Sequence, residues 1–137
     1  MSMVVRAAVV WFALALVTPA SAQQLECRVG KPQQVAEMMF GRKIGDRIGV
    51  SEAQWARFLD REITTRFPDG LSVIDAAGRW RDRARNVVVA EPSKLVQIVL
   101  PGNADDQDRL AAIAEAYKKL FRQQSVGIIV RAACVSF

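Results

Sequence analysis

Histidine is missing from this chain: 19 Lys plus Arg and 14 Asp plus Glu carry its charge, with no His in 137 residues. That absence removes the usual general base near neutral pH and the commonest metal ligand. Cysteine is scarce, with only Cys27 and Cys134, and there is no Cys-x-x-Cys or adjacent cationic helix start to mark a redox-active thiol. No glycine-rich phosphate loop, nucleophile elbow or metal-ligand cluster is present. Asp60, Glu62 and Asp69 lack the spacing that paired-carboxylate chemistry demands. There is no internal repeat, low-complexity tract or linker. No metal and no cofactor is expected.

What is present begins with an export signal. Arg6 supplies a positive n-region, residues 7–17 an apolar h-region, Pro19 a break, and Ala20-Ser21-Ala22 the small-x-small pattern of a signal-peptidase site. The apolar run is too short for a permanent membrane anchor. The pattern predicts a cleaved signal peptide over residues 1–22, cut between Ala22 and Gln23. The mature protein, residues 23–137, is then periplasmic or secreted, where thiols oxidise. It is long enough for one domain with a modest core. Loss of Arg6 leaves 18 Lys plus Arg against 14 Asp plus Glu, a mild net charge of +4, which by itself implies no special partner. Two cysteines allow one pairing, and the reading is a structural disulfide between Cys27 and Cys134. Glu26 before Cys27 stands where a lipoprotein signal needs a small residue.

Residues 35–41 read as a first strand, and Gly41, Gly45 and Gly49 make the next segment a loop. Ser51 opens a helix with Gln54 completing a capping box; Trp55, Phe58, Leu59 and Ile63 recur at helical spacing until Pro68. Pro68-Asp69-Gly70 is a turn. Residues 71–80 form a second strand, 81–86 a hairpin tip, and 87–100 a third strand that Pro92 is expected to interrupt with a bulge. Asn103 caps a second helix with Leu110, Ile113, Tyr117, Leu120 and Phe121 on one face, and residues 126–134 close the chain as a fourth strand. The order βαββαβ is the ferredoxin-like split βαβ pattern: an α+β fold with one antiparallel four-stranded sheet and two helices on one face. Right-handed crossovers place the first and third strands centrally and the fourth beside the first. That brings Cys134 near Cys27, so topology and disulfide agree.

The stretches Ser51-Glu52-Ala53-Gln54-Trp55, Phe58-Leu59-Asp60 and Arg66-Phe67-Pro68-Asp69-Gly70-Leu71 resemble an uncharacterised bacterial family, domain of unknown function 3574. The likeness continues through Asp75-Ala76-x-Gly78-x-Trp80-Arg81-Asp82, Glu91-Pro92-Ser93-Lys94, Ala116-Tyr117-Lys118 and the end Ala133-Cys134-Val135-Ser136-Phe137, covering nearly all the mature chain. It implies a small exported domain and carries over no activity or site.

The strand faces hold the main functional clue. Ala36, Met38 and Phe40 alternate with Val35, Glu37 and Met39, and Val96, Ile98 and Leu100 with Leu95, Gln97 and Val99, so both faces are largely apolar. A solvated face should be polar, and something is expected to cover the one away from the helices. Glu37 and Gln97 interrupt it at mid-strand: they orient a polar ligand group in an apolar cavity, or they pair with each other or water at a dimer seam. Arg79, Arg81, Arg83 and Arg85 alternate around Trp80, as an anion or nucleic-acid site with Trp80 stacking, or as a solvated turn balanced by Asp82. Export argues against a nucleic-acid role.

The sequence leads to the expectation of a non-catalytic binding or structural module, homodimeric through the open sheet face. The alternative is a small-molecule-binding protein or enzyme with a pocket on that face, as in dimeric α/β-barrel proteins.

Overall fold

In the computed structural model, residues 25–137 are described. The predicted signal peptide and the cleavage site at Ala22 and Gln23 lie outside them. Strand β1 (Lys31–Gly41) leads into a short hairpin of β2 (Lys43–Ile44) and β3 (Arg47–Ile48). Helix α1 (Glu52–Phe58) widens into a π-helical turn (Leu59–Thr64); β4 (Leu71–Asp82) and β5 (Val87–Val99) form a long hairpin; α2 (Asp106–Phe121) precedes the last strand, β6 (Gly127–Val135). The main sheet is antiparallel with order β4-β5-β1-β6, the ferredoxin-like order read from the sequence. Cys27 and Cys134 are disulfide-bonded across a Cα separation of 5.5 Å, tying the lead-in of β1 to the end of β6. Among the described residues, no helix is long and apolar enough to cross a membrane.

Both helices lie on one sheet face. Ala36, Met38, Phe40, Val96 and Ile98 are buried there against Trp55, Phe58, Leu110, Ile113, Tyr117 and Phe121. Phe40 is the hub: its ring centre is 4.8 Å from that of Tyr117 and 5.2 Å from that of Trp55. The Tyr117 hydroxyl donates to the Gly41 carbonyl at 2.7 Å, and burial pushes its pKa up. The predicted capping box is present, with the Gln54 amide donating to Ser51 Oγ and the Ser51 amide to Gln54 Oε1.

At the edge of this face Lys94, 5% exposed, donates to Asp75 and Glu52, and Glu52 also meets Arg42. Hydrogen bonds from Lys94 hold both carboxyls below their ordinary values, and Asp75 followed by Glu52 raises Lys94. The pairing offsets the cost of an ammonium removed from water.

The structure departs from the sequence reading in several places. β1 begins at Lys31, because its early residues pair with β6 down to Lys31↔Val135. The segment after Gly41, expected to be a loop, contains the β2–β3 hairpin, turned at Gly45 with φ +65. Pro92 makes no bulge: the β4–β5 register is continuous through Ala77↔Pro92. Its carbonyl accepts from the Arg42 amide. Since N–H and C=O of a strand residue point to the same side, the missing N–H faces the end of β1 and costs the β4 ladder nothing. Asn103 is not the helix cap; instead the Asp106 carboxylate accepts from the Gly102 and Asn103 amides. Leu120, expected in the buried stripe, is 63% exposed. The π turn keeps Phe58 and Ile63, five residues apart, both facing the core.

Candidate functional site

The other sheet face carries no helix among the described residues, although Val35 on it is 6% exposed and Leu95 and Val99 are half-buried. Met39, Ile74 and Ile129 are 40%, 50% and 44% exposed. In its middle Gln97, Glu37 and Ile129 stand in one cross-strand row. Glu37 accepts from Arg131 Nη2 at 2.7 Å and from Gln97 Nε2 at 3.3 Å. The Arg131 guanidinium is the main reason its carboxyl stays below the usual range. This is a satisfied surface cluster, and none of its three residues lines the cleft described next.

The cavity lies further along the same face, where strand lengths differ. β1 stops pairing with β5 at Gly41↔Ser93, while β4 and β5 continue together to Asp82↔Val87. The overhanging arm, the β2–β3 hairpin and the turn from α2 into β6 enclose a cleft of about 540 Å3. That size suits a small organic ligand. Trp80, Val89 and Glu91 come from the arm, Lys43 and Ile44 from the hairpin, and Arg122 to Gly127 from the turn.

Two glycines shape the floor. A Cβ at Gly41 would lie 2.5 Å from Glu91 Oε1, and one at Gly78 2.5 Å from Ser93 Oγ. Their absence lets the Glu91 side chain lie against β1, 8% exposed, with Oε2 accepting from the Lys43 amide at 2.8 Å. The walls are cross-linked. Gln123 Nε2 donates to the Lys43 carbonyl at 2.7 Å. Arg122 turns the chain out of α2 with φ +53. At the arm tip Asp82 accepts from the amides of Ala84 and Arg85 and from Arg85 Nε. The Arg85 side chain, then its amide, lowers the Asp82 pKa. Arg85 Nη1 reaches Asp46 in the hairpin at 2.9 Å.

One group is unsatisfied. The Trp80 indole N–H is buried and has no hydrogen-bond partner among the described residues. Leaving such a donor unpaired costs about 1–3 kcal/mol. The cleft also carries Lys43 and Arg122, which form no ion pair among the described residues, beside the buried Glu91 carboxylate. Among the described residues, no three His, Cys, Asp or Glu side chains converge to ligate a metal. The arrangement suits an organic molecule offering an acceptor to Trp80 and an N–H or cationic group to Glu91.

The four ligand-binding candidates from the sequence therefore separate. Glu37 and Gln97 meet at mid-sheet; Trp80 lines the cleft; Arg81, turned to the opposite side of β4 by strand alternation, donates to Asn86 at 2.9 Å. Glu91, Gly41 and Arg131 were missed. Glu91 had a partial signal: a hairpin tip at residues 81–86 sets it opposite Ala76, on the face of Trp80, whereas the observed tip is two residues shorter and moves the pairing to Gly78↔Glu91.

Comparison with known proteins places the chain. The family model "Protein of unknown function (DUF3574)" matches residues 35–137. No curated protein matches the sequence. Among solved structures, a phage SAM lyase in its apo state is 20% identical, with a TM-score of 0.59 over 80% of this chain and 87% of the lyase. A phage SAM lyase in complex with S-methyl-5'-thioadenosine is 18% identical, with a TM-score of 0.61 over 82% of this chain and 97% of the lyase. At these identities the likeness is one of fold. The chain belongs to the DUF3574 family.

Proposed function

We propose that this DUF3574 protein works outside the cytoplasm as a small-molecule-binding module whose site is the cleft at the end of the open sheet face. The observation that carries the reading is a cleft lined by Trp80, whose buried indole N–H has no partner among the described residues, and floored by the buried Glu91. Buried donors are normally satisfied, and a ligand acceptor would satisfy this one. Glu91 orients the ligand through an N–H or a positive charge, and the cations at the mouth draw in an anionic portion. The disulfide favours an oxidising compartment.

A lyase reading is favoured by one observation, the fold shared with the phage SAM lyases. The test separates the two. S-adenosylmethionine and S-methyl-5'-thioadenosine are titrated into the protein while indole fluorescence and thermal unfolding are followed, and the products are chromatographed. Binding without turnover supports the module; conversion of S-adenosylmethionine supports the lyase. Trp80→Phe, which keeps a ring and removes the N–H, is expected to weaken binding about tenfold. An unchanged affinity, or binding that survives Glu91→Gln and Trp80→Phe together, overturns this placement of the site.

A further inference from the structure

We infer that the open sheet face docks a second copy of this chain about a two-fold axis. The inference rests on the middle of the face and does not require a ligand in the cleft.

Part of this face is already covered, with Val35 6% exposed and Met39 bordering the cleft, but its middle is not. The lead-in carries Leu25 and Val29 at 41% and 71% exposed, and the β2–β3 hairpin lies at the cleft, leaving Met39, Ile74 and Ile129 open. Large uncovered apolar patches are rare on monomers. The size suits a dimer. Four strands about 4.8 Å apart, of roughly eleven residues at about 3.3 Å each, offer on the order of 700 Å2 per copy, close to the ~800 Å2 per partner of a standard interface.

The charge pattern singles out a copy over a foreign partner. A mature chain with a net charge of +4, 18 Lys plus Arg against 14 Asp plus Glu, should repel itself at most surfaces. At the middle of this face one acid, Glu37, lies beside one base, Arg131. The pair is neutral and self-complementary, as a two-fold interface requires: Arg131 of each copy can share Glu37 of the other without leaving a charge alone. Gln97, already donating to Glu37, keeps that carboxylate satisfied on burial.

The test uses adjacent residues that alternation points to opposite faces. Ile129 lies on the open face and Ile128 on the other, 44% and 39% exposed. Sedimentation velocity is run across the micromolar range on the disulfide-bonded protein and on Ile129→Asp and Ile128→Asp, with thermal melts to confirm folding. The expected result is a dimer for the parent and Ile128→Asp and a folded monomer for Ile129→Asp. Should Ile129→Asp fail to fold, Arg131→Glu replaces it, with the dimer expected to return in Glu37→Arg/Arg131→Glu. A monomeric parent, an oligomer other than a dimer, or a dimer indifferent to both open-face changes overturns the inference.

Discussion

Met38 and Met39 are consecutive in β1, yet the first is fully buried and the second 40% exposed. The same contrast runs through β5, where Val96 and Ile98 are buried to within 1% and Gln97 between them is exposed. One face of the sheet is packed by helices and centred on an aromatic cluster; the other is apolar and, apart from Val35, largely open, with Glu37 and Arg131 at its centre. Hydropathy does not separate the two. What separates them is where the chain sends its helices, and that follows from crossover handedness.

Several experiments would sharpen this contrast. The largest effect belongs to a bond that serves both faces, since the disulfide ties β6 to the start of β1. Replacing Cys27 and Cys134 with Ser should cost about 4–5 kcal/mol in the loop-entropy account, read by urea unfolding with and without reductant. A bridge reducible without loss of stability would remove it from the framework. On the packed face, Trp55→Ala should cost roughly 3–5 kcal/mol. Ile74→Ala, on the open face, should stay within about 0.5 kcal/mol for the monomer. If the two substitutions cost the same, the distinction between the faces fails.

The glycine floor tests the far end of the open face. Gly41→Ala would push a methyl onto the Glu91 carboxylate and should cost about 1–3 kcal/mol, measured by thermal melts. Gly102→Ala meets nothing within 4 Å but strains a backbone at φ +90. It should therefore lower stability without disturbing Trp80 fluorescence, whereas Gly41→Ala should change both.

The smallest effect is in pH. Asp75 and Glu52 are lowered from 3.8 and 4.5 by Lys94. Their contribution is present above those values and is lost as pH falls through the lower folded ones. Lys94 is raised above 10.5, so its share is present below that value and is lost as pH rises through the folded one. Stability should be level between, and Asp75→Asn should flatten the acid slope. Both carboxyls are largely exposed, so screening keeps the effect small.

The topology was legible because its signals were redundant. Capping at Ser51, the Pro68-Asp69-Gly70 turn, two apolar strand faces and two distant cysteines all pointed to one arrangement. The cleft was not legible. It arises where β4 and β5 outrun β1 and is walled by a two-residue-strand hairpin and by Arg122 to Ser125, segments without periodicity to read. Asp106 replaced Asn103 at the helix start because two backbone amides of the preceding turn converge on its carboxylate, a tertiary detail that residue order does not reveal. Glu37 and Gln97 were placed together correctly, but their third partner, Arg131, comes from the far end of the chain.

The arginines of β4 have one more consequence. β4 is the outermost strand over its whole length, so one row of its backbone amides and carbonyls lacks a neighbour. Such an edge invites another chain to add a strand and start a fibre. Arg79, Arg81 and Arg83 set like charges along that edge and into the turn beyond it, so an approaching copy meets repulsion before it can form a backbone hydrogen bond. For a protein whose copies are inferred to meet face to face, this charged edge acts as steering: it discourages open-ended growth from the β4 side of the sheet.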